Sequence, residues 1–122
     1  MTAMTESQVA RILIEQGGDK RIDPKVRVLL NRMMVQIASA PSLQTYLVDA
    51  GIVPQDDGSA SLQFDFLRLP EEVVPQVEKL MSASQFDSFK WSRYVKNGQA
   101  HVGLDLRIDP KNLPGTAYDY AY

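Results

Sequence analysis

Cysteine is absent from the chain. That excludes disulfides, thiolate metal centres, iron–sulfur clusters and cysteine nucleophiles in one step. Histidine occurs once, at position 101, so no site needing several imidazole ligands can form within one copy. No apolar run reaches the roughly 18 residues of a membrane-spanning helix. The N-terminal Met1-Thr-Ala-Met-Thr-Glu-Ser-Gln has neither a basic n-region nor an apolar core, so it does not read as a secretory signal. A cytoplasmic location is the expectation. Charge of one sign is lacking as well: 13 Lys+Arg stand against 15 Asp+Glu, and this balance gives no polyanion binder by composition.

What is present suits a globular domain: 122 residues, of which 44% are hydrophobic, enough to bury a core without staples. Thr5 and Gln8 form a capping-box pattern ahead of Val9, Ile12 and Leu13, and Gly17-Gly18 stops that first helix. Asp23-Pro24 reads as N-cap and N1 of a second helix, with Val26, Leu29, Leu30, Met33 and Ile37 at helical spacing and Pro41 as its end. Val28 and Val35 lie on the opposite side of that helix. Ser42 is expected to start a third, short helix with Leu43, Tyr46 and Leu47 inward and Gly51 as its stop. Val53 to Ser59 reads as a turn-rich connector.

Leu62, Phe64 and Phe66 alternate with Gln63 and Asp65, the period of a half-buried strand. Pro70-Glu-Glu-Val-Val-Pro opens a fourth helix, with Val73 and Val77 inward and Pro75 as an alternative start. Asn97-Gly98 is the preferred two-residue hairpin turn. It sets Val95 opposite Ala100, Arg93 opposite Val102, Trp91 opposite Leu104 and Phe89 opposite Leu106 on one apolar face interrupted by Arg93. Tyr94 then faces His101, Ser92 faces Gly103, Lys90 faces Asp105 and Ser88 faces Arg107 on a polar face. The fold class is α+β: three N-terminal helices, then β-α-β-β with a small antiparallel sheet of three strands and a C-terminal tail. Residues 1–115 form one domain and 116–122 a tyrosine-rich tail.

Few residues invite chemistry. Asp105 shares a strand face with His101 but lies about 13 Å along it, too far to orient the ring. Glu71 and Glu72 are adjacent on a helix and do not face each other. Gly17-Gly18-Asp19-Lys20 follows a helix and lacks the phosphate-loop pattern. Arg-Ile-Asp-Pro-Lys occurs at 21–25 and again at 107–111, and capping accounts for its Asp-Pro in both places. The chain is therefore read as a non-enzyme without cofactor or metal.

The tail places Tyr118, Tyr120 and Tyr122 at period 2, so an extended chain presents three rings on one side. The expectation is a small adaptor or regulatory protein that binds another protein, with homo-oligomerisation as an option. Its contacts are Tyr118, Tyr120 and Tyr122 together with an exposed hairpin face of Lys90, Arg93, Tyr94 and His101. The alternative is a winged-helix-like nucleic-acid binder using Lys25, Arg27 and Arg32 of the second helix and Lys96 of the hairpin. Its third helix, however, carries no basic residue for phosphates.

Overall fold

The computed structural model describes residues 4–82 and 88–108. Helix α1 spans Glu6–Glu15, and the capping box forms as the sequence predicts: Thr5 Oγ1 accepts from Gln8 N, and Gln8 Oε1 accepts from Thr5 N. Helix α2 spans Pro24–Ser39, with Asp23 Oδ1 accepting from Lys25 N at 2.8 Å. Asp23 N also donates to Gly58 O at 3.0 Å, which pins the start of α2 to a loop of the sheet.

The third helix is a correction. Helix α3 is one turn, Pro41–Gln44, and the chain then enters strand β1, Leu47–Pro54. Leu43 and Leu47 are both buried, as expected, but from different elements. The turn-rich connector is present at Gln55 to Ser59, with Val53 and Pro54 ending β1, and it closes a β1–β2 hairpin in which Gln55 N donates to Ser59 O at 3.0 Å and Gly58 takes a φ of 88°. Strand β2 spans Ala60–Leu67. A 3₁₀ turn, Glu71–Val73, leads into helix α4, Val74–Ser82, so that Pro75 falls in the first α-helical turn, where its missing N–H has no helical partner to lose. Strands β3, Ser88–Lys96, and β4, Gln99–Ile108, complete the order.

The sheet has four antiparallel strands rather than three, in the order β1-β2-β4-β3. The protein is thus α+β, with its sheet following the first three helices. The hairpin register agrees with the sequence reading pair for pair, from Ser88 with Arg107 to Val95 with Ala100. Asn97 and Gly98 both adopt positive φ, 52° and 75°, as the two-residue turn demands.

Alternation sorts the strands into two faces. Ala60, Leu62, Phe64 and Phe66 of β2 and Leu104, Leu106 and Ile108 of β4 are buried in one core with Val26, Leu30, Met33, Met34 and Ile37 of α2. Val28 and Val35, on the far side of α2, are exposed. The other face of the sheet carries the polar residues and, among the described residues, no helix packs on it.

The two edges of the sheet differ. Two outward groups of β1 are occupied: Ile52 N donates to Gln16 Oε1 at 2.7 Å, and Leu47 O accepts from Met4 N at 2.9 Å. Among the described residues, strand β3 has β4 as its single neighbour in the sheet.

Candidate functional site

The uncovered face brings together Asp49 and Gly51 of β1, Gln63 and Asp65 of β2, His101, Gly103 and Asp105 of β4, and Lys90, Ser92, Tyr94 and Lys96 of β3. Two glycines hollow it. A Cβ on Gly103 would meet Ser92 Oγ at 2.6 Å and Tyr94 Cε1 at 3.4 Å, so the β3 side chains lean into the space a larger residue would fill. The result is a shallow depression of about 420 Å³, lined among others by Asp49, Gly51, Gln63, Asp65, Tyr94 and Lys96.

At one end of this face, His101 is 2% exposed. Its Nδ1 lies 2.8 Å from Asp65 Oδ1. A carboxylate only accepts, so Nδ1 carries the proton and donates. The Tyr94 ring stacks on the imidazole, with centroids 5.3 Å apart and planes 20° from parallel, and shields it from solvent. Nε2 is buried and meets no hydrogen-bond partner among the described residues. The Tyr94 phenol is pushed up to about 12: desolvation is the largest cause, followed by its hydrogen bond to Asp65 and the negative charges of Asp65 and Asp49.

Asp49 stands directly across from Asp65. Like charges placed opposite one another disfavour the sheet, and the bulge between Leu47 and Asp49 falls at this point. Asp49 turns its Oδ1 to Ala50 N at 2.9 Å, while Asp65 holds His101. Further along, Gln63 Nε2 donates to Asp105 Oδ2 at 3.2 Å. Asp57, its carboxyl held below the ordinary range chiefly by hydrogen bonds from Ser59, lies 3.6 Å from the Arg107 guanidinium.

The structure separates the hairpin residues that the sequence groups. Lys90, Tyr94 and His101 share the uncovered face, but His101 is buried rather than exposed, since β2 and the Tyr94 ring close over it. Arg93 projects from the opposite face, where its guanidinium pairs with Glu71 at 3.0 Å. Tyr118, Tyr120 and Tyr122 lie outside the described residues.

The basic residues of the alternative reading do not converge. Lys25, Arg27 and Arg32 sit on α2, in the layer behind the sheet, whereas Lys96 lies on the uncovered face. Arg27 is occupied by the Asp19 carbonyl at 3.0 Å, and the four-residue α3 is too short to serve as a groove-reading helix.

Asp65 is the residue that sequence reasoning missed. Its place in the β2 alternation was legible, but its partnership with His101 depends on β4 lying between β2 and β3. In comparisons with known proteins, no family model, no curated protein and no solved structure matches the chain.

Proposed function

We propose that this chain is a non-enzymatic binding protein that engages another protein across the uncovered face of its sheet. The observation that carries the reading is the one-sided packing of the sheet: helices bury one face, while the other keeps a hollow rimmed by Asp49, Asp65, Tyr94 and Lys96. Antiparallel sheets tolerate a solvated face without special construction. This one goes further, because two glycines recess it and Tyr94, 40% exposed, stands over it as a rigid aromatic platform. Acidic groups from β1, β2 and β4 and basic ones from β3 give the face two electrical halves that orient a partner of complementary pattern. The sole histidine supports Tyr94 from below instead of meeting solvent, which favours binding over proton transfer. The tyrosines at 118, 120 and 122 supply a second aromatic contact in this reading.

The test is affinity capture with the wild-type chain beside Tyr94→Ala and Gly103→Val, each checked for folding by circular dichroism. A protein retained by wild type and lost with both variants supports the reading. Capture that is indifferent to both variants and is abolished by nuclease overturns it in favour of nucleic acid.

A further inference from the structure

The β3 edge differs from the β1 edge in more than its neighbours. Backbone groups in an antiparallel ladder point alternately toward and away from the partner strand. Ala100 O accepts from Arg68 N at 3.0 Å, on the β2 side, so the Val95/Ala100 pair is one whose hydrogen-bonding groups point away from each other. By alternation, the N–H and C=O groups of Phe89, Trp91, Arg93 and Val95 face outward from the sheet. The side chains of these same four residues lie on one face, where Phe89 is 44% and Val95 75% exposed.

Read antiparallel against itself about Ser92, the strand is self-complementary. Phe89 falls opposite Val95 of a second copy, joining two exposed apolar side chains. Trp91 falls opposite Arg93, a cation over an indole, and Lys90 opposite Tyr94, a cation over a phenol. All four outward-facing residues become hydrogen-bonded positions, and no like charges stand directly opposite. Moving the axis to Arg93 would instead set Arg93 against Arg93 and Lys90 against Lys96. Of the basic side chains of β3, Arg93 pairs with Glu71 at 3.0 Å and Lys90 stands across the ladder from Asp105.

We infer that the β3 edge pairs with the β3 edge of a second copy of this chain, antiparallel about Ser92, to give a continuous eight-stranded sheet. The inference concerns the strand's edge and stands apart from the use proposed for the sheet's face. An isologous two-fold contact of this kind is self-limiting, since among the described residues each copy offers one edge, that of β3, with no second strand beside it. It also sets two uncovered faces side by side.

The absence of cysteine makes the register testable. In the proposed pairing Ser92 faces Ser92 as a non-hydrogen-bonded pair with Cα atoms about 4.5 Å apart, within the span of a disulfide. Under mild oxidation Ser92→Cys is expected to cross-link between copies, whereas Ser42→Cys, on α3, is not. Sedimentation of the wild type over roughly 1–500 μM is expected to show a monomer–dimer equilibrium. Arg93→Pro removes an outward N–H that β4 does not use, so the fold survives, and dimerisation should weaken at least about tenfold. Val28→Lys, on the exposed side of α2, should leave the dimer intact. A wild type that stays monomeric throughout the range overturns the inference. So does a dimer that resists Arg93→Pro, fails to cross-link at 92, or is lost with Val28→Lys.

Discussion

His101 Nδ1 donates to Asp65 Oδ1 at 2.8 Å, joining β4 to β2 through a side chain that is almost fully buried. Neither group has a simple substitute. Removing the carboxylate leaves a buried N–H with nowhere to donate, and such an orphaned donor costs about 1–3 kcal/mol. Asp65→Ala is therefore expected to lower the unfolding free energy by about 1–3 kcal/mol. Asp65→Asn, whose amide oxygen still accepts, should lose less. Urea unfolding of the two variants beside wild type checks the order. Equal losses would show that the hydrogen bond contributes nothing specific.

The Tyr94 phenol is held up to about 12 by desolvation and by Asp65, which sets a pH dependence of known sign. An unfolded tyrosine ionises near 10. Between pH about 10 and about 12 the unfolded chain therefore binds fewer protons here than the native one. The contribution is fully present below pH about 10 and is lost as pH rises toward 12. Absorbance titration of wild type minus Tyr94→Phe should isolate one late-titrating phenol. Asp65→Asn should shift it down toward 10, and a shift upward would contradict the assigned causes.

These two relationships mark where sequence reasoning reached its limit. Caps, the Asn97-Gly98 turn and the β3–β4 register are written in short spans, because each depends on chemistry between residues near one another in the chain. Strand β1 escaped because Leu43, Tyr46 and Leu47 also suit a helix, and because Asp49, Ala50 and Gly51 are weak strand formers. Its pairing with β2 supplies the stability that its own residues lack. The Tyr94–His101 pair was legible from the turn, whereas Asp65 enters only once the order β2-β4-β3 is known.

Gly103 sits where a side chain would collide with Ser92 Oγ at 2.6 Å. A hydroxyl at the end of a short side chain can rotate away, so Gly103→Ala should cost under about 1 kcal/mol. In a Ser92→Ala background the same change should stabilise the strand, because glycine inside a strand costs about 0.5–1 kcal/mol in chain entropy. The sign reversal is read from denaturation midpoints of the four chains. Gly103→Val reaches the Tyr94 ring, 3.4 Å from the Cβ position, and should also raise the fluorescence accessibility of the tyrosine.

Gln16 Oε1 accepts from the outward Ile52 N–H at 2.7 Å, so the end of α1 closes the β1 edge. Gln16→Leu fills similar space but cannot accept, leaving a part-buried N–H unpaired at about 1 kcal/mol or somewhat more. Gln16→Glu retains an acceptor and should recover most of that loss. Amide hydrogen exchange separates a local effect from a global one: Ile52 should lose protection beyond what the fall in overall stability accounts for, while Leu104 and Leu106 should follow overall stability alone. An uncovered β1 edge is also a second template for strand addition. Gln16→Leu is thus expected to form larger assemblies than wild type on concentration, because a chain with two bare edges can propagate where one bare edge terminates at a pair. Equal protection at Ile52 in wild type and Gln16→Leu would show that the glutamine does not guard that edge.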